Sequence, residues 1–366
     1  MFPLGPVTLR MVLFFACLAI WLLAVIMRKR LDGQGLAILL ILFFFASHLS
    51  ALFVDANSSA PAEQILGRIQ PILFWFSAPF IALAINSHVI IKHSANIIMY
   101  GGSVVALVII ASTAALLSGV LNPRLFYTWG AISGEFFFRS DTYFFFKGHF
   151  YVGMALVFSL LLRPKGWPLM ASILTVALVA SLTRGLILAV LVAIVFGLIT
   201  NRRTGMLFII FAASVVAAGF YGPEIIESLF GDKSREISLL TRVDDLNSFV
   251  RHFDLRIFFF GDGFGPLLNG RESIENSYLW AIWRFGVIGL IFWLSPFFVS
   301  YYYYRKIPKY SDFYALASTF FAGMLMLFLL TSVNPFINNS IGLLYALISI
   351  FALRRLSLLK SDEPNA

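Results

Sequence analysis

The sequence predicts an all-α integral membrane protein of about 11 (10–12) transmembrane helices, with one long loop that carries an amphipathic helix. Three observations predict it. The 366 residues are 60% hydrophobic and 12% charged, with a mean hydropathy of +0.89. A soluble domain carries about 25% charge, so a water-facing surface of ordinary composition cannot be built from this chain. The apolar residues fall into runs of membrane-crossing length, and the short basic loops between runs all fall on one side.

A bilayer-crossing helix needs about 20 mostly apolar residues. Eleven runs of this kind lie near 11–27, 36–54, 69–91, 97–120, 143–162, 167–183, 186–200, 206–221, 277–304, 313–331 and 341–353. The short last run and the aromatic stretch 136–146 leave the count open by one. The first run lacks the flanks of a cleavable signal peptide and is read as a retained span. Residues 1–366 are read as a single polytopic domain. Cys17 stands alone in an apolar run, which excludes a disulfide framework or a Cys-based metal site.

Lys and Arg are retained in short cytoplasmic loops. The clusters Arg28-Lys29-Arg30, Arg163 with Lys165, Arg202-Arg203, Arg305-Lys306 with Lys309, and Arg354-Arg355 are separated by even numbers of spans. All therefore face the cytoplasm, together with Lys92 and the C-terminus. By this topology the cytoplasmic side holds 14 Lys/Arg against 4 Asp/Glu, and the outer side 13 against 14. The net charge of +9 is thus a topology signal and not a nucleic-acid footprint.

The long outer loop occupies 222–276. In it Leu239, Val243, Leu246, Phe249, Val250 and Phe253 recur at spacings of three and four, with Arg242, Asp245, Ser248 and His252 opposite. That pattern predicts an amphipathic helix resting on the bundle or the membrane surface. Phe258-Phe259-Phe260 then leads into Gly261-Asp262-Gly263, an ordinary tight turn or one whose amide groups point at an anion.

Two constellations carry candidate chemistry. Ser181-Leu182-Thr183-Arg184-Gly185 sits between two runs. It is either a hairpin with Gly185 as breaker and Arg184 snorkelling, or it holds Arg184 as a fixed cation for phosphate. Glu275-Asn276-Ser277-Tyr278-Leu279 opens the next span, with Asn276 or Ser277 as N-cap and Glu275 at the positive dipole end. Arg284 lies two turns into that span, where a charge is costly and usually functional. Gly286 and Gly289 permit close helix approach, and Pro296 is expected to kink the span. His48 and His88 are read as structural. His149 and His252 are candidate proton carriers. The aromatic residues of 126–138 stack on sugars or lie in the interface. No metal-ligand spacing, P-loop, serine-hydrolase elbow or nucleic-acid module is present, so no cofactor is expected.

Taken in order, these motifs resemble the O-antigen ligase and polymerase superfamily over roughly 140–305. Thr183-Arg184-Gly185 with Leu188 resembles its Arg-x3-Leu turn. A long loop follows, with Arg242 near its start, an amphipathic helix and the Gly-x-Gly turn at Gly261-Asp262-Gly263. Glu275 through Leu279, with Gly286 after them, resembles its acidic-or-His, Asn, small, aromatic, Leu motif. The ligases usually have His before the Asn. Glu275 at that place is more like the polymerases.

The resemblance implies a GT-C-like bundle in the bacterial inner membrane with its active site on the periplasmic side. It implies a metal-independent glycosyltransferase acting on undecaprenyl-pyrophosphate-linked glycan donor and acceptor. Membrane lipids and a chain-length regulator protein are the other expected partners. Arg184 and Arg242 would hold the pyrophosphate, with Arg284 and Arg271 as further candidates. Glu275 would accept the acceptor's proton, and Asn276, Tyr278 and Gly263 would position substrate. The rival readings are a ligase onto lipid A-core and a flippase for lipid-linked sugars.

Overall fold

The computed structural model describes residues 3–4, 7–27, 33–55, 74–133, 136–138, 144–181, 183–203, 233–252, 254–263, 274, 276–333, 336 and 339–359. These residues are almost entirely helical. A small pair, β1 (Pro3–Leu4) and β2 (Val7–Thr8), precedes α1 (Leu9–Ile26) and α2 (Gln34–Asp55). A 3-10 turn Phe74–Ser77 leads into α3 (Ala78–Ala84), followed by α4 (His88–Leu117) and α5 (Pro123–Ser133). A hairpin of β3 (Phe136–Phe138) and β4 (Phe144–Phe146) precedes α6 (His149–Leu162), α7 (Trp167–Ala180) and α8 (Arg184–Thr200). Then come α9 (Lys233–His252), α10 (Leu255–Phe260), α11 (Ser277–Lys306), α12 (Tyr314–Thr331) and α13 (Ser340–Leu359).

Nine of the eleven predicted runs fall on one main helix each, the run 69–91 is met only by the 3-10 turn, the short α3 and the first turn of α4, and the run 206–221 lies outside the described residues. Among the described residues α4, α11, α12 and α13 are long and apolar enough to cross a membrane. The helices α6, α7 and α8 are apolar but only 14, 14 and 17 residues long. The protein is an all-α membrane protein by these four spans, and the remaining spans of the eleven rest on the sequence.

Three expectations need correction. The expected break around Lys92 is absent, because α4 runs continuously for 30 residues from His88. That length is about 45 Å, more than the roughly 30 Å hydrocarbon core, so its polar first turns can project beyond the lipid. Within the aromatic stretch 136–146, Phe136–Phe138 and Phe144–Phe146 pair as antiparallel strands and not as part of a span. Their rings pack on one another and on α5, with Phe136 stacked on Phe146 at 4.8 Å and Phe126 edge-on to Phe144 at 5.1 Å. The third concerns α11, which carries Pro296 inside it as expected but also leaves helical geometry ten residues earlier, at Gly286, where no break was predicted. Glycine reaches a positive φ without the Cβ clash that other residues meet, and that decides where the helix breaks.

The chain divides into two compact units. In the first (1–88, 233–307 and 327–366), α11 packs on α2, α10 and α13. Its core is aromatic. Phe44 stacks on Trp75 at 3.5 Å and meets Trp293 edge-on at 5.1 Å. His48 joins this core with Nδ1 2.7 Å from the Phe44 carbonyl, a structural role as expected. In the second unit (89–232 and 308–326), α6 is buried almost all round and packs on α7 and α8. Ile97, Val104 and Val108 form an exposed apolar stripe on α4, opposite buried Ala95, Gly102 and Ala106. An apolar outer face of this kind suits lipid.

Candidate active site

The structure builds one end of the first unit around the start of α11. Asn276 caps the helix, its Oδ1 accepting from the amides of Tyr278 at 3.0 Å and Leu279 at 3.1 Å. Two otherwise orphaned donors are thereby satisfied. The Tyr278 hydroxyl donates to the Phe328 carbonyl and so ties this turn to α12. Glu275 precedes the cap directly but lies outside the described residues, as does Arg271. Its neighbour on the other side, Ile274, is buried in a cluster with Phe249, Ile257 and Trp283.

About two turns after Tyr278 the helix breaks at Gly286, with φ +69 and ψ −174. The break strips the carbonyls of Trp283 and Arg284 of their helical donors. The turn after α10 supplies replacements. The Asp262 amide donates to Trp283 O at 2.7 Å, and the Gly263 amide to Arg284 O at 3.3 Å. Arg284 returns the contact, its Nη1 donating to Gly263 O at 2.8 Å. Its guanidinium lies over the Trp283 indole, 3.8 Å from the ring centroid, and the residue is completely buried. Of the two readings of the Gly-x-Gly turn, the structure therefore shows the protein-internal one. The amides of Asp262 and Gly263 serve a helix and are not aimed at an anion.

Asp254, at the start of α10, caps it by accepting from the Ile257 amide at 2.6 Å. Asp262, inside the glycine turn, pairs with Arg256 at 2.9 Å. Burial pushes the Asp262 carboxyl above its ordinary value, more than the opposing pull of Arg256 and Arg284 lowers it. Sequence reading passed over both aspartates. An Asp immediately before an apolar helical run is a cap signal, and Asp254 was legible on that ground. The Arg256–Asp262 pair spans a helix end, and no helical spacing rule reaches it.

In α9 the buried face is Asp245 and Phe249, at 2% and 8% exposure. Of the expected apolar stripe Phe249 is buried, while Val243, Leu246 and Val250 are exposed. Arg242 lies in α9 one turn before Asp245, and its side chain lies outside the described residues.

Arg184 belongs to the second unit, as the first residue of α8. Gly185 is therefore inside the helix and is not the breaker. The chain turns at Thr183, whose φ is −99 and ψ 95. The Thr183 hydroxyl donates to Ser181 O at 3.0 Å and makes no cap. No acidic residue occupies the first turn. A cation and the positive end of the helix dipole thus coincide, the reverse of the usual preference and a favourable setting for an anion. Of the proposed proton carriers, His149 is buried with Nδ1 2.8 Å from Phe146 O, and His252 is exposed on α9.

Over 353 residues, 93% of this chain and 86% of the relative, the chain is 25% identical to a Shigella flexneri protein described as an O-antigen polymerase. The chain thus resembles the polymerases of the superfamily that its motifs suggest. No protein-family model matches the chain, and no solved structure does.

Proposed function

We propose that this chain is a polysaccharide polymerase of the inner membrane, joining lipid-linked oligosaccharide repeat units at the periplasmic face. The observation that carries the reading is the similarity to an O-antigen polymerase along nearly the whole of both chains. In the proposed reaction the growing glycan leaves its undecaprenyl pyrophosphate carrier and is joined to a sugar hydroxyl of the next lipid-linked unit. The anomeric C–O bond to the pyrophosphate breaks, a new C–O bond forms, and the hydroxyl proton passes to a base.

The leaving group departs with growing negative charge. Arg184, the first residue of α8, and Arg242 in α9 are each proposed to receive it. A preorganised donor of this kind contributes about 3–4 kcal/mol to transition-state stabilisation. Glu275 is the proposed proton acceptor, immediately before the Asn276 cap. A correctly held base adds about 10²–10⁴-fold. Arg284 and Gly263 are proposed to act by fixing the loop against α11, since each is already bonded to the other.

The test is a gel of surface polysaccharide from a deletion strain complemented with wild type, Arg184→Ala or Glu275→Gln. The polymerase reading expects loss of long chains, with single repeat units on the lipid core, for the deletion and for Arg184→Ala. A normal ladder from both would refute it. Polymer accumulating on the carrier without transfer would identify a ligase, and single units held in the cytoplasmic leaflet a flippase.

A further inference from the structure

A second charged site lies in the second unit, independent of the glycan chemistry. A cavity of about 400 Å³ opens between the end of α8 and the loop that enters α12. Arg202, Arg203 and Lys309 line it against a single lining carboxylate, Asp312, with Asn201 and Ser311 adding polar edges. The cavity sits at the ends of the apolar helices α8 and α12, which the basic-loop topology puts at the cytoplasmic boundary of the membrane.

The way α8 ends is unusual. The Arg203 amide donates to Leu198 O at 2.8 Å and the Arg202 amide to Ile199 O at 3.0 Å. This pair of bonds is a Schellman cap, whose left-handed position is normally glycine. Arg202 holds that position with φ +55. The chain thus accepts backbone strain that glycine would relieve, and keeps a cation at the cavity wall. Arg203 is fixed as well, its Nη1 donating to Leu161 O, which orients the guanidinium beside the cavity. Burial, and then the neighbouring charge of Arg163, hold its pKa below the ordinary value. A bound anion would relieve both costs. Orienting a span requires only that basic residues lie on one side of the membrane. It does not require three of them to converge on one concavity.

We propose that this cavity binds an anionic phosphate group, with the phosphodiester of an acidic membrane lipid as its source. Basic pockets at the membrane boundary hold such head groups, and each Lys or Arg near the surface adds about fivefold to the affinity.

The experiment is native mass spectrometry of the detergent-purified full chain, titrated with phosphatidylglycerol or with phosphatidylcholine. Wild type is expected to retain phosphatidylglycerol preferentially. Arg202→Gly removes the cation while relieving the backbone, so it should fold and bind about fivefold more weakly. Asp312→Asn should bind more tightly, an opposite sign that loss of structure cannot produce. In a lipid-free preparation, thermal stabilisation by millimolar inorganic phosphate, lost in Arg202→Gly and without lipid preference, would keep the phosphate site and overturn the lipid as its source. Equal retention of both lipids, with Arg202→Gly and Asp312→Asn unchanged and no phosphate effect, would overturn the proposal.

Discussion

Gly261 and Gly286 hold two backbones against each other. Each has a positive φ, +78 and +69. A β-carbon on Gly261 would lie 2.3 Å from Arg284 O, and one on Gly286 would lie 2.2 Å from Phe259 O. The turn after α10 and the break in α11 therefore form one feature, in which each glycine makes room for the other segment.

Alanine at either position should be poorly tolerated. With ψ near 180° at both positions, this backbone conformation is essentially reserved for glycine and alone costs another residue about 1–3 kcal/mol. The clash adds about 1–3 kcal/mol more, because rigid backbone and not a flexible side chain must move. Gly286→Ala and Gly261→Ala should each lower the unfolding temperature of the purified protein in detergent. Gly101→Ala in α4 is the useful contrast, since a β-carbon there meets nothing within 4 Å. Equal thermal stability of Gly286→Ala and wild type would contradict the described crossing.

Arg284 is completely buried and donates to Gly263 O. A hydrogen bond from a charged group contributes about 1.5–3 kcal/mol. Arg284→Met should therefore loosen the glycine turn, exposing the 261–263 amides to faster hydrogen exchange. Arg284→Lys should rescue only in part, because an ammonium lacks the planar fork and stacks less well on Trp283. If exchange at 261–263 stayed at the wild-type rate in Arg284→Met, the bracing role would be lost.

Asn276 separates capping from substrate contact. Asn276→Ala should destabilise by about 0.5–2 kcal/mol through loss of the cap. Asn276→Ser keeps a capping oxygen and should restore stability. Polymer chain length in the Ser variant then reports whether the amide also touches substrate. Wild-type ladders from Asn276→Ser would confine the residue to the cap.

The Asp262 carboxyl gives a pH signature. Burial raises its pKa above 3.8, so the folded protein holds this proton more tightly than the unfolded chain. Between 3.8 and the raised value the folded state binds more protons, and stability from this group falls as pH rises. Above that window the contribution is constant. Asp262→Asn, which cannot titrate, should be flat where wild type slopes. Thermal unfolding of both proteins across the acid range checks the sign, and a wild-type slope in the opposite direction would disprove it.

Much of the fold was legible before any coordinates. Hydropathy is a sum over neighbours in the chain, and lipid selects on that sum, so nine of the runs fall on one main helix each. The Asn276 cap was legible too, because a cap depends on three or four consecutive residues. Arg184 was placed correctly between two helices, but its position as the first residue of α8 was not, since Gly185 suggested a break.

What only the tertiary structure decided is where chain segments remote in sequence exchange polar groups. The carbonyls freed at Gly286 needed donors, and nothing local says that Asp262 and Gly263 provide them. Arg284 reads from sequence as a charge stranded in a span, and its partner lies 21 residues earlier. In α9 packing buried Phe249 of the apolar stripe together with Asp245, and left Val243, Leu246 and Val250 exposed. The sequence by itself determined which residues leave water, because that is a local transfer free energy. The fold decided which polar groups satisfy one another, because a buried donor or acceptor takes whichever partner packing brings within reach.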